Sequence, residues 1–104
     1  MAQSRIEQLK EILVQDPGNQ LTRYALGMEY SGQGEIDAAI AEFKQLLAVN
    51  PDYANAYFMA AQALAGAERK AEARQMLKDG IAAAQRSGNP HAQTEMQQML
   101  DEME

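Results

Sequence analysis

His91 is the one histidine in a chain of 104 residues that contains no cysteine. That combination removes most of the chemistry a small protein could perform. Without a thiol there is no disulfide, no thiolate metal site and no cysteine nucleophile. A lone imidazole could share a transition-metal site only with carboxylates, a poor donor set for such ions. Its place directly after Pro90, in the first turn of a helix, suits a solvated side chain. Ser4, Ser31 and Ser87 have no histidine in any arrangement that would activate a hydroxyl. Gly32-x-Gly34 is too short to cradle a phosphate, and an interhelical turn accounts for both glycines. The 15 acidic residues are scattered along the chain. Asp16, Glu35, Asp37 and Asp52 stand near helix ends, where capping and the helix dipole explain them. Asp101-Glu102-Met103-Glu104 is an acidic tail of the solvated kind. Nothing here supports catalysis, a cofactor or a metal.

The overall composition points the same way. A formal charge of −6 and an isoelectric point near 4.7 oppose nucleic-acid binding, which needs a basic footprint. The first ten residues, Met1 to Lys10, lack the apolar core of a signal peptide. No apolar run approaches the roughly 18 residues that span a bilayer. The expectation is a soluble cytoplasmic protein with no membrane insertion. Hydrophobic residues are 46% of the chain and aromatics only 6%. Alanine and methionine must therefore supply much of the apolar volume, which suits closely packed helices better than a β-sandwich. One domain over residues 1–104 is the reading the length allows.

Such residues can be positioned by six helices. Ile6, Leu9, Ile12 and Leu13 recur at helical spacing and predict a helix from Arg5 to Gln15. Asp16-Pro17-Gly18-Asn19 ends it, and Asn19 caps the next, Gln20 to Ser31. After Gly32-Gln33-Gly34 a helix is expected from Glu35 to Val49, with Ile36, Ala39, Ile40, Phe43, Leu46 and Leu47 on one side. Asn50-Pro51-Asp52 repeats the earlier turn. Tyr53 to Ala65, a turn containing Gly66, and Arg69 to Arg86 form a second pair. Ser87-Gly88-Asn89-Pro90 breaks the chain, with Asn89 as cap and Pro90 in the first helical position. His91 to Met103 closes it, carrying Ala92, Met96, Met99, Leu100 and Met103.

Two of these pairs are copies of each other. A shift of 34 residues places Ala60-Ala61 on Leu26-Gly27, Leu64 on Tyr30, Ala73 on Ala39, Leu77 on Phe43 and Pro51 on Pro17. A period of that length, with small residues at fixed points of two helices, is a stack of helix–turn–helix units. Leu26-Gly27-x2-Tyr30, Ala39-x3-Phe43 and Pro51 together resemble the tetratricopeptide repeat family over residues 5 to 86. The resemblance implies an all-α short solenoid of antiparallel helix pairs that recognises proteins and seldom carries chemistry. Residues 20–52 form its first repeat and 53–86 its second. Residues 5–15 supply a packing helix, since Leu9 falls on Phe43 and Leu13 on Leu47, and residues 90–103 a closing helix. Two positions depart from the family pattern. Arg23 stands where the family has a bulky aromatic, a place Tyr57 fills in the second repeat. Gln85 replaces the second closing proline.

By the same resemblance, the first helix of each unit lines the concave side. On a wheel at 100° per residue, Arg23, Leu26, Gly27 and Tyr30 fall on the packing stripe. Leu21, Tyr24, Met28 and Ser31 form a neighbouring stripe, continued in the second unit by Asn55, Phe58 and Gln62. Family members that grip a chaperone's C-terminal carboxylate use lysine and asparagine where this chain has Tyr24, Met28, Phe58 and Gln62. That mode is excluded, because none of the four is a cation. Two readings of the stripe stay open. It is either core, covered by the methionine-rich last helix, or a groove left open for an apolar or amphipathic segment of a protein or peptide partner. The same surface could instead serve a weak homodimer. Arg69, Lys70, Arg74, Lys78 and Arg86 interleave with Glu68, Glu72 and Asp79 and read as a solvated, ion-paired face.

Overall fold

Six α-helices follow one another in the computed structural model, which describes residues 4–103. The first three residues, and Glu104 of the acidic tail, lie outside the described residues. The helices are α1 (Arg5–Gln15), α2 (Gln20–Gly32), α3 (Ile36–Val49), α4 (Ala54–Gly66), α5 (Lys70–Arg86) and α6 (Pro90–Glu102). Among the described residues there is no strand. The boundaries lie within a residue or so of those expected, because the punctuating residues act as their chemistry dictates. Ser4, Asn19 and Asn89 each turn a side-chain oxygen onto the backbone N–H three residues on, at 2.9–3.1 Å. Each thereby satisfies one of the donors a helix start leaves free.

Two kinds of turn join the helices. Asp16-Pro17-Gly18-Asn19 and Asn50-Pro51-Asp52-Tyr53 are closed by N–H···O=C bonds of 3.1 and 3.2 Å from their fourth residue to their first. Proline presets the backbone angle of the second position in such turns. The other kind ends α2, α4 and α5 on one left-handed residue: Gly34 (φ 78°), Glu68 (φ 63°) and Gly88 (φ 69°). The next N–H then reaches back five residues, Glu35 to Tyr30, Arg69 to Leu64 and Asn89 to Ala84, at 2.8–2.9 Å. This is the paired-bond helix stop that glycine favours. The second turn thus pivots on Glu68, while Gly66 remains the last helical residue of α4.

Glu68 holds a conformation that costs an L-residue about 1–2 kcal/mol. Its repeat counterpart, Gly34, holds it freely. Glu68→Gly should therefore stabilise the fold by about 0.5–1 kcal/mol, after the ~0.4–1 kcal/mol that glycine adds to the entropy of the unfolded chain. The expected result is a melting temperature raised by a few degrees. A fall would show that this turn is not strained.

Small residues let the helices of a pair approach, and large ones fill the space. Phe43, Leu26, Leu46, Leu64, Leu77 and Met96 are the largest fully buried side chains. Gly27 lies flat against the Phe43 ring: a Cβ there would stand 2.7 Å from Cε1. In the second unit Ala61 and Leu77 hold the corresponding places, both fully buried. Gly80 makes a comparable contact that the repeat pattern hides. It occupies the place of Leu46, and a Cβ on it would meet Met96 Sδ and stand 2.6 Å from Tyr57 Cβ. Leaving out that side chain lets α6 seat Met96 in the core.

Arg23, the outlier of the first repeat, does what Tyr57 does in the second. The Tyr57 hydroxyl donates to the Pro51 carbonyl at 2.7 Å, and Arg23 Nη2 donates to the Pro17 carbonyl at 3.3 Å. The guanidinium also binds Glu42 at 2.8 Å and Gln45 at 2.9 Å. Gln85 in place of a proline lets α5 run on to 17 residues, against 14 for α3. Arg86, in its last turn, reaches back to Asp52 with Nε at 3.0 Å and Nη2 at 2.6 Å.

The stack is a thin, elongated body of 44 × 29 × 18 Å. Helices α2, α4 and α6 touch in sequence, whereas α1, α3 and α5 touch only the members of the other row. The α2–α4–α6 row is therefore the more closely packed of the two, and forms the inner row of the stack. Helix α6 packs on α5 and α4 as the first helix of a third unit would, and it makes no contact with α2.

Candidate functional site

The stripe marked out on the first helices belongs to α2 and α4 of the inner row, and its members are in different states. Leu21 is 70% exposed. Asn55 and Gln62 are exposed, and Tyr24, Met28, Ser31 and Phe58 are half-buried. Tyr24 is held more firmly than its stripe position suggests. Its ring sits 6.0 Å from that of Phe43 and 5.5 Å from that of Tyr53, tilted to both. Burial pushes its phenol above the usual tyrosine range, and the neighbouring Tyr53 adds to that. Met28 and Phe58 also rest one side on the core. What limits access to Tyr24 is thus α3 and the start of α4, since α6 does not reach α2.

A cleft of about 270 Å³ opens between α4 and α6. Phe58 and Gln62 form one wall, and Glu95, Gln98, Met99 and Glu102 the other. These four α6 residues escape a reading by 34-residue shifts, which would put Asn89, Ala92 and Met96 opposite the stripe. Helices α4 and α6 begin 36 residues apart (54 and 90), while α2 and α4 begin 34 apart (20 and 54). Even a 36-residue shift points to His91, Thr94 and Gln98, of which Gln98 alone is among the cleft's lining residues.

Charge is sorted between the two sides. Of the nine Lys and Arg residues, all but Arg23 lie on α1, α3 and α5 or, in Arg69, at the residue before α5. Arg23 is occupied by Glu42 and Gln45 of α3. Helices α2, α4 and α6 otherwise carry Glu29, Glu95, Asp101 and Glu102. Glu29 is paired with Arg5 at 3.1 Å. On the outer side the basic stretch is interleaved with acids as expected: Arg69 pairs with Asp37 and Glu72 at 2.6 and 2.8 Å, and Lys70 with Glu68 at 3.7 Å. The Arg69 guanidinium holds the Glu72 carboxyl below its ordinary range. His91 lies in water, with its side chain 86% exposed and Nε2 3.2 Å from Glu95. Among the described residues no helix is long and apolar enough to cross a membrane, and no three His, Asp or Glu are gathered to hold a metal ion.

The tetratricopeptide repeat model matches residues 24–90, and the chain belongs to the tetratricopeptide repeat family. It is similar to the TPR repeat-containing protein PA0015 of Pseudomonas aeruginosa, with 28% identity over 99 residues covering 95% of this chain and 94% of that protein. Among solved structures it resembles protein BPP2914 of Bordetella parapertussis, with a TM-score of 0.83 and 32% identity across 98% of this chain and 89% of that one. A tetratricopeptide repeat domain protein of Salinibacter ruber gives a TM-score of 0.78 at 28% identity, across 86% of this chain and 90% of that one. Members of the family are in general protein–protein interaction modules, and generally non-enzymatic.

Proposed function

We propose that this chain is a non-catalytic adaptor whose concave face takes up a peptide or helical segment of a partner protein. One observation carries the reading: Leu21, Met28 and Phe58 leave apolar surface on the inner row, and Phe58 also lines an open cleft with Met99 on its far wall. Side chains of this kind give large contact area, and methionine adapts its shape to what it meets. The test uses a Leu21→Glu/Phe58→Ala variant as bait beside the unaltered protein in lysate of its own cell. Leu21 is mostly exposed, and the half-buried Phe58 ring contributes roughly 1–2 kcal/mol, so the variant should keep its helical spectrum and lose the partner. Equal recovery of the partner by the folded variant would refute the groove.

The exposed Leu21 also supports a second reading, in which two copies cover this surface against each other. A charge of −6 opposes their approach, although salt screens it over about 8 Å. A monomer at micromolar concentration, with weak dimerisation above it, is the expected sedimentation equilibrium result. A tight micromolar dimer broken by Leu21→Glu would make the groove a self-assembly surface.

A further inference from the structure

We infer that the segment received between α4 and α6 is cationic and amphipathic, an apolar side chain flanked by lysines or arginines. This rests on the concave-groove reading above and adds the chemistry of the ligand. Of the cleft's lining residues Phe58 and Met99 are half-buried against the core and form its apolar floor, whereas Gln62, Gln98 and the carboxylates Glu95 and Glu102 are exposed. Those two acids stand seven residues apart on one face of α6, about 10 Å along the helix axis. A ligand whose cations are about as far apart, with an apolar residue between them, meets both acids while its apolar side chain enters the floor.

The carboxylates are available for such a ligand. Among the described residues Glu95 is paired with the solvent-exposed His91 alone, and Glu102 forms no ion pair. No lysine or arginine lines the cleft, and the single arginine of the inner helices is held by α3. An acidic segment would therefore meet uncompensated like charge beside apolar surface, where charges interact more strongly than in bulk water. The outer cleft between α3 and α5 offers no such preference, because Lys44 lies there together with Glu72 and Asp79.

The experiment is a selection from a random twelve-residue peptide display library against the whole chain, followed by affinity measurements on the selected peptides. The expected sequences carry lysine or arginine around an aromatic or long aliphatic residue. Their affinity should fall about fivefold to tenfold in Glu95→Gln/Glu102→Gln, two exposed pairs' worth of attraction. It should fall further in Gln62→Arg, which places a cation in the cleft, and again as salt is raised. Neutral or acidic peptides that bind and are lost in Phe58→Ala would overturn the charge assignment and leave the groove standing. Peptides indifferent to Phe58→Ala and Gln62→Arg alike, or no selected peptide at all, would overturn both.

Discussion

Phe43→Ala should lower stability by about 3–5 kcal/mol, the usual cost of emptying a phenylalanine site in a packed core. Phe43 is fully buried. Its ring fills the hollow left by Gly27 and supports the Tyr24 ring 6.0 Å away. Truncation therefore opens a void between α2 and α3 and loosens the edge of the inner face together. Folded proteins retain about 5–15 kcal/mol in all, so much of the margin would go. The melting temperature should drop by roughly 12–40 °C, at about 4–8 °C per kcal/mol for a chain of this size. Val49→Ala, at a site 68% exposed, should change stability by less than about 0.5 kcal/mol. Equal, small effects for the two variants would mean that Phe43 does not anchor the first pair.

Gly27→Leu should be as damaging, for the opposite reason. Glycine inside a helix costs about 0.5–1 kcal/mol relative to alanine, so a replacement on an open helix face would stabilise. At Gly27 the Phe43 ring already stands where a Cβ would go, 2.7–3.0 Å from three of its carbons. The ring is enclosed and cannot turn aside, so α2 and α3 must separate. Overpacking of this kind costs about 1–3 kcal/mol even for small additions, and leucine adds a whole branched side chain. Denaturant titration should show a loss of roughly 3 kcal/mol or more with the helical content of the folded form unchanged. A gain in stability would place Gly27 on the surface and undo the pairing of α2 with α3.

Both effects were legible from residue spacing alone, because Gly27 and Phe43 recur as Ala61 and Leu77 one period later. Helix ends were legible too, since Asn19, Asn89, Pro17 and Pro51 act through local bonds that their own side chains specify. What stayed hidden depended on contacts between elements. Glu68 gives no sign in its chemistry that it takes the left-handed place of Gly34. Gly80 breaks the repeat because α6 brings Met96 against it, and that requires knowing where α6 lies. The extension of α5 past Gln85 shifts α6 out of the 34-residue frame, and the packing of α6 against α4, which repeat spacing does not specify, decides that Glu95, Gln98, Met99 and Glu102 line the cleft. A helical wheel assigns Tyr24 to the proposed groove stripe, yet it could not show the ring leaning between Phe43 and Tyr53.

The measurement that bears most directly on the function is backbone amide shift mapping of the whole chain, titrated with a peptide from the display selection. The chain is small enough for every helix to be followed at once. The expected perturbations cluster on the inner row, around Leu21, Met28, Asn55, Phe58, Gln62 and Met99. The exposed faces of α3 and α5 should stay near their free positions. Perturbations centred on α3 and α5, with the inner row unmoved, would contradict the assignment of the concave face as the binding surface.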